Sequence, residues 1–178
     1  MAWERGYIHI YMGKGKGKTT AALGLALRAA GHGLKVYMAQ FLKSALTGEM
    51  LAAEKLAPYF TIFRFSGEHD FFTRLSAPER QEVRAEARSA FDFARRAMSE
   101  GACDILILDE ILVALQHQLL DLSELTALLD QKPLPLELIL TGRHAPAELV
   151  ARADLVTRME EVKHYYRAGV MSRAGIEK

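Results

Sequence analysis

A run of alternating glycines and lysines near the start of the chain has the composition of a phosphate-binding loop. Glycines occupy positions 13, 15 and 17, and Lys18 and Thr19 follow the last of them. Glycines let a backbone curl so that successive N–H groups point towards one anion. A lysine at this position reaches terminal phosphate oxygens, and the threonine hydroxyl binds Mg²⁺. Residues 13–20 therefore predict a loop that holds the phosphates of a nucleotide.

The residues on either side supply the context that such a loop requires. Residues 7–11 are β-prone and residues 21–27 are strong helix formers, so the loop joins a strand to the positive end of a helix. The common P-loop pattern places its first glycine where Met12 stands, one residue earlier than Gly13. A glycine-rich turn with solvated lysines is the alternative, which the coincidence of strand, loop and helix disfavours. We therefore predict a P-loop variant that holds its nucleotide in an unusual way.

Two adjacent carboxylates, Asp109 and Glu110, form the second group with evident chemistry. They end the apolar run at residues 105–108, which is typical of a central parallel strand buried on both faces. In P-loop proteins an acid at this position holds Mg²⁺ or its waters. An acidic helix start is the alternative interpretation. We predict that Thr19, Asp109 and Glu110 form the metal-binding part of the site.

Further candidates stand where other strands are expected to end. Gln40 closes the strand predicted at 34–41, and Arg143, a candidate phosphate ligand, follows the strand at 136–140. Phe71 and Phe72 are adjacent aromatic residues in a polar loop. Open α/β sheets bind ligands at the carboxyl ends of their strands, which makes Gln40 and Arg143 candidates for a ligand role. One of the two phenylalanines is a candidate to face a ligand or partner. The alternatives are an ordinary strand-end polar residue for Gln40 and a ring that caps the core for one phenylalanine.

Strands and helices alternate from end to end, which predicts a single domain over residues 1–178. The strands are expected at 7–11, 34–41, 60–65, 103–108, 136–140 and 154–159. After the P-loop helix, further helices are expected at 47–57, 78–100, 111–120, 122–129 and 146–152. This order is typical of an α/β P-loop fold, with a mostly parallel twisted sheet covered by helices on both faces. The polar residues 160–178 are expected to form a tail over or beside the site.

The bulk composition restricts the partners and the compartment. The net charge is +1, half of the residues are hydrophobic and a quarter are charged, so neither nucleic acid nor a membrane is expected as a partner. No stretch approaches a membrane span, and the first residues lack the pattern of a signal peptide, so we expect a cytoplasmic protein. The single cysteine, Cys103, excludes an intramolecular disulfide and is predicted to be an inert core thiol.

The motifs in combination resemble the P-loop type ATP:cob(I)alamin (corrinoid) adenosyltransferases. The resemblance covers nearly the whole chain and depends on five segments: GKGKGKTTAALGLALRAAGHG, the strand that ends in QFLK at residues 40–43, LILDE, LTGRHAPAELVARADLVTRM and KHYYRAGVMSRAGIE. It implies transfer of the 5′-deoxyadenosyl group of ATP to the cobalt of a reduced corrinoid, either cobalamin or cobyrinic acid a,c-diamide, with release of triphosphate. It also implies that the variant loop holds ATP in a reversed sense, which presents the 5′ carbon to the corrinoid.

The resemblance assigns roles to individual residues. Lys18, Thr19 and Glu110 are implied to be catalytic, with Thr19 and Glu110 on Mg²⁺ and Asp109 one step behind the metal. Arg28 matches a family arginine that contacts ATP, and Arg143 is a weaker match. The implied ATP-binding set is Gly13, Lys14, Gly15, Lys16, Gly17, Lys18, Thr19, Thr20, Arg28 and Arg143.

The corrinoid side of the site departs from the family pattern. The family places a phenylalanine and a tryptophan after the third strand, whereas this chain has Phe71 and Phe72 there, and its only tryptophan is Trp3. Phe71, Phe72 and Gln40 are the candidate corrinoid contacts. The resemblance also implies a homodimer and a reduced flavin carrier protein as partners. A P-loop ATPase or kinase, or a non-catalytic regulator that binds ATP and a corrinoid, are the alternatives.

Overall fold

Twelve regular strands and helices account for most of the described chain. A computed structural model describes residues 3–43, 45–67, 69 and 72–178. The strands are β1 Ile8–Met12, β2 Val36–Gln40, β3 Phe60–Arg64, β4 Ile105–Asp109, β5 Glu137–Gly142 and β6 Leu155–Arg158. The helices are α1 Lys18–Gly31, α2 Gly48–Leu56, α3 Ala77–Ser99, α4 Ile111–Gln116, α5 Leu122–Asp130 and α6 Ala147–Val150, with short 3-10 turns at Phe72–Arg74 and Tyr165–Ala168.

The six strands form one parallel sheet in the order β3-β2-β4-β5-β1-β6. Because all the strands run the same way, their carboxyl ends meet at a single edge. The loop after β1, the end of β2, the acids after β4 and the turn after β5 therefore lie side by side. This arrangement confirms the predicted fold class, including all six strands.

Two hydrophobic clusters cover the two faces of the sheet. In β4, Leu106 and Leu108 pack into the cluster that holds α3, α4, α5 and α6, whereas Ile105 and Ile107 face the cluster that holds α1 and α2. Alternation of side chains along a strand produces this division, and burial on both faces explains the continuous apolar run. The central strands are thus fixed from both sides, and the carboxyl edge they support is fixed with them.

Polar residues set the start of the long helices. The Ser76 N–H donates to Glu79 Oε2 at 2.7 Å, and Asp121 and Glu124 make the corresponding capping box on α5. Such caps satisfy N–H groups that a helix start leaves without a partner. None of the helices in the described residues combines the length and apolar character needed to cross a lipid bilayer.

Candidate active site

Three buried polar side chains meet at the carboxyl edge of the sheet. Within the described residues, Gln40, Asp109 and Thr141 are the polar or charged side chains that are fully buried. They end β2, β4 and β5, and Gln40 pairs with Asp109 in the sheet register. Burying polar groups costs free energy unless they are hydrogen-bonded. Their concentration at one point of an otherwise apolar core marks this edge as the candidate site.

Asp109 is the centre of this cluster. Its Oδ1 accepts hydrogen bonds from the Thr19 hydroxyl at 2.9 Å and the Thr141 hydroxyl at 2.7 Å. The Lys43 ammonium lies 2.6 Å from Oδ2 and balances the buried charge. The carboxylate therefore joins the P-loop helix to two neighbouring strands, and it orients the Thr19 oxygen towards the loop.

Glu110 is held in an unusual backbone conformation beside Asp109. Its φ of 63° lies in the left-handed region, which non-glycine residues rarely adopt. The Glu110 N–H donates to the Thr141 hydroxyl at 2.8 Å. Burial raises the pKa of the Glu110 carboxyl, and the charge of Asp109 adds to the shift, whereas Lys43 and nearby cations oppose it. This strained corner turns the second acid out of the sheet and towards the P-loop.

The glycines at positions 13 and 15 allow another part of the backbone to approach closely. A Cβ on Gly13 would overlap the Met159 carbonyl, and one on Gly15 would come within 2.7 Å of the Glu160 backbone. The Gly15 N–H donates to Met159 O at 2.8 Å, and the Gly13 N–H donates to Arg143 O at 3.0 Å. The chain itself thus occupies both N–H groups, whereas Gly17 and the first turn of α1 present the helix N–H groups that lack intrahelical acceptors.

Lys18 folds back over the loop. Its ammonium donates to Gly15 O at 2.7 Å, and partial burial lowers its pKa while the charges of Glu110 and Asp109 oppose that shift. Arg143 also acts on the Lys18 pKa, which places its guanidinium within electrostatic reach. The structure therefore brings together the predicted catalytic residues Lys18, Thr19 and Glu110, with Asp109 and Arg143 beside them.

The remaining loop side chains face outward, and one of them contacts the tail. Lys14, Lys16 and Thr20 are exposed. The Lys16 ammonium donates to Glu177 Oε1 at 2.7 Å, to the Tyr165 hydroxyl at 3.1 Å and to the Ile176 carbonyl at 3.2 Å. The outer surface of the loop is therefore covered in part by the carboxyl-terminal residues.

Arg28 is not brought to the loop. It is exposed in the last turn of α1, ten residues after Lys18, which is about 15 Å along the helix axis. Its charge acts on Tyr11, whose pKa is raised mainly by burial. The implied contact of Arg28 with the nucleotide stays a prediction.

The candidate corrinoid contacts are dispersed. Phe71 lies outside the described residues. The ring of Phe72 is partly buried, 4.5 Å from the His117 ring and 5.7 Å from the Arg80 guanidinium. Gln40 is fully buried, so in this conformation it has no surface to offer to a large corrinoid. The Gln40 Oε1 atom has no hydrogen-bond partner among the described residues. The residue lies beside Asp109 in the sheet and so belongs to the buried polar cluster.

Lys43 and Thr141 are polar residues that the sequence places at the ligand-binding edge of the sheet but to which it assigned no role. Each is polar and follows an apolar strand, so the signal was present but shared with many strand ends. Tyr165 and Glu177 carried no local signal, because their contacts with Lys16 span 149 and 161 residues. The sequence thus pointed to the correct edge of the sheet but not to every side chain there.

The oxygen atoms at this edge suit a hard cation better than a soft one. Across the described ranges, no three His, Cys, Asp or Glu side chains converge into a ready-made metal site. Mg²⁺ is commonly held by one or two carboxylates together with substrate phosphates and waters. The Thr19 hydroxyl and the Glu110 carboxylate are the oxygen groups here that could hold such an ion, and Asp109 contacts Thr19 and Lys43.

Comparison with known proteins gives a consistent result over the whole chain. The family model described as "ATP:corrinoid adenosyltransferase BtuR/CobO/CobP" matches residues 4–177. The corrinoid adenosyltransferase of Pseudomonas aeruginosa is 34% identical over 98% of this chain and 84% of its own length. The corrinoid adenosyltransferase of Escherichia coli K12 is also 34% identical, over 98% of this chain and 86% of its own length.

One solved structure reproduces the fold. ATPases 2 and 3 of EssC from Geobacillus thermodenitrificans align with a TM-score of 0.50 at 16% identity, over 96% of this chain and 35% of that chain. At such low identity the likeness concerns the fold alone.

Proposed function

This chain belongs to the ATP:corrinoid adenosyltransferase family, and on that premise we propose that it transfers the 5′-deoxyadenosyl group of ATP to the cobalt(I) of a corrinoid. Inorganic triphosphate is the second product. The observation that carries the proposal is the variant loop, whose Lys18 and Thr19 lie beside Asp109 and Glu110. Cobalt(I) is itself a strong nucleophile, so the chain needs no serine, cysteine or general base at the reacting carbon.

The protein's contribution is therefore positioning and charge stabilisation. Lys18 is now satisfied by the Gly15 carbonyl, and a triphosphate in the loop would give its ammonium an anionic partner instead. Negative charge accumulates on that triphosphate as the bond to the 5′ carbon breaks. Lys18 and the N-terminal end of α1 stabilise this developing charge.

Thr19 and Glu110 would hold Mg²⁺ in this proposal. The Thr19 hydroxyl donates its proton to Asp109, which leaves its oxygen lone pairs free to accept a cation. Glu110, whose charge acts on Lys18, would supply a carboxylate ligand. The bound ion would neutralise part of the charge on the triphosphate leaving group. Asp109 positions Thr19 and, with Lys43 on its other oxygen, is placed to act from behind the metal.

Several finer features belong to the same proposal. A single domain over residues 1–178, with residues 160–178 as a tail over or beside the site, and a cytoplasmic location are based on the sequence pattern. A homodimer and a reduced flavin carrier as the electron source are based on the family resemblance. Sedimentation of the purified protein tests the dimer directly, and a monomeric mass at working concentration would remove that part of the proposal.

An anaerobic product assay tests the central activity. Cob(I)alamin, ATP and Mg²⁺ are expected to give adenosylcobalamin, recognised by its absorption spectrum, together with equimolar triphosphate. Formation of ADP or orthophosphate without a cobalt–carbon product would instead identify an ATPase or kinase. Tight corrinoid binding without turnover under strong reductant would identify a regulator.

A further inference from the structure

The Glu177 carboxylate is surrounded by donors from two distant parts of the chain. One oxygen accepts from the Lys16 ammonium at 2.7 Å, from the Arg173 guanidinium at 3.3 Å and from the Tyr165 hydroxyl. The other oxygen accepts from the Arg173 backbone N–H at 2.9 Å. Two cations and one hydroxyl therefore converge on a single carboxylate. If the Glu177 side chain moves away, the remaining cluster carries an excess of positive charge.

This cluster adjoins the phosphate loop. Lys16 lies between Gly15 and Gly17, and the Gly15 N–H is bonded to Met159 at the start of the tail. The Lys16 ammonium and the Arg173 guanidinium also lie near the Tyr165 ring, at 5.8 and 4.8 Å from its centroid. The tyrosine thus holds both cations close to the loop.

The chemistry of these donors suits a phosphate as well as a carboxylate. Lysine, arginine and hydroxyl groups bind both anions through charge-assisted hydrogen bonds. The Arg173 guanidinium, the Lys16 ammonium and the Tyr165 hydroxyl hold the pKa of Glu177 far below its usual range. The carboxylate consequently stays ionised at ordinary pH, and a phosphate that reaches these donors would compete with it for the same hydrogen bonds.

We propose that Lys16, Tyr165 and Arg173 form a receptor for the terminal phosphate of ATP, which Glu177 occupies as an internal anion until the nucleotide binds. The proposal rests on the proposed function only for the choice of ATP as the nucleotide. Arg173 and Tyr165 are then binding residues for the triphosphate, and Glu177 is their competitor. Nucleotide binding must break the contacts of Glu177 with the loop and release the end of the tail from Lys16.

Two substitutions distinguish a phosphate receptor from a cluster that only fastens the tail to the loop. Glu177→Gln removes the competing charge and keeps every donor, so ATP is expected to bind roughly two- to fivefold more tightly, the scale of an exposed ion pair. Arg173→Gln removes a donor and leaves Glu177 on Lys16, so ATP is expected to bind about two- to fivefold more weakly. If Arg173 served only to fasten the tail, its loss would tighten binding instead.

Isothermal titration calorimetry on the full chain without corrinoid provides the measurement. ATP and inorganic triphosphate are expected to show both shifts, and adenosine neither. The matched control is Glu161→Gln, because Glu161 pairs with Arg167 in the same segment at 2.7 Å and makes no contact with the loop in the described residues.

The proposed receptor would be contradicted if Glu177→Gln bound ATP with unchanged or weaker affinity. Unchanged or tighter binding by Arg173→Gln would contradict it as well. Because no corrinoid is present, these results do not depend on adenosyl transfer. Loss of transfer activity with both affinity shifts intact would refute the proposed function and leave the receptor standing.

Discussion

The Thr141 hydroxyl connects the two acids of the site. It donates to Asp109 and accepts from the Glu110 backbone, so a single oxygen fixes both the buried carboxylate and the turn that follows it. Removing such a group leaves buried partners unsatisfied, which costs more than the loss of the bond itself.

Thr141→Val is therefore expected to lower the free energy of unfolding by about 1–3 kcal/mol, although valine is close to threonine in shape. Thr141→Ser keeps the hydroxyl and is expected to cost about 1 kcal/mol or less for the lost methyl group. Urea denaturation of the two variants measures the difference. Equal stability of the valine and serine variants would show that the hydroxyl does not hold the acids.

In the proposed reaction, Lys18 is the residue through which the loop acts on the leaving group. Lys18→Ala is expected to lower kcat by about 10²–10³-fold, the usual cost of removing one donor from a developing charge. The matched control is Lys55→Ala, an exposed lysine in the last turn of α2, which should keep kcat unchanged. Full turnover by the Lys18 variant, measured anaerobically with saturating ATP, would refute the assigned role.

At the scale of elements, the loop is shaped by the segment after β6 as much as by α1. Gly15→Ala places a methyl group against the Glu160 and Met159 backbones, which cannot move without displacing the tail. We expect a loss of about 1–3 kcal/mol in unfolding free energy, together with weaker ATP binding.

Gly24→Ala is the matched control within α1. A Cβ at Gly24 meets nothing within 4 Å, and alanine favours a helix over glycine by about 0.5–1 kcal/mol, so this variant should be more stable than the parent. Thermal denaturation of both variants gives the comparison. If Gly15→Ala were as stable as the parent, the segment at Met159 would not be packed on the loop as described.

The elements were more predictable from the sequence than the contacts between them. The apolar run of β4, the helix-forming residues of α1 and the turns between strands are local patterns, and each predicted its element. The contact of Lys43 with Asp109 depends on where the chain turns after β2, and that of Lys16 with Glu177 joins residues 161 positions apart. Local periodicity carries no information about either pairing.

At the scale of the molecule, the two-faced packing of the sheet also determines the state of Cys103. The thiol is buried at the amino-terminal end of β4, and burial raises its pKa from 9.0 to about 12. The prediction of a buried core thiol is therefore confirmed. Because the native state disfavours the thiolate, the neutral thiol contributes its full stabilisation at pH values below the pKa that Cys103 has in the unfolded chain. This stabilisation is lost as the pH rises towards 12, the pKa in the native state.

The difference in unfolding free energy between the parent and Cys103→Ala should therefore shrink from about pH 8 to about pH 10.5. Urea denaturation at both pH values measures it, and the shared titration of other groups cancels in the difference. A pH-independent difference would show that Cys103 is not held as a neutral thiol in the native protein.

In the proposed reaction the 5′ carbon of ATP, rather than a phosphorus atom, is the electrophile. The most direct measurement follows ATP labelled with ¹³C at the 5′ position during anaerobic reaction with cob(I)alamin and Mg²⁺. We expect a ¹³C signal for carbon bonded to cobalt and a ³¹P spectrum of intact inorganic triphosphate. A labelled carbon that remains in ADP, with orthophosphate as the partner product, would contradict the proposed reaction.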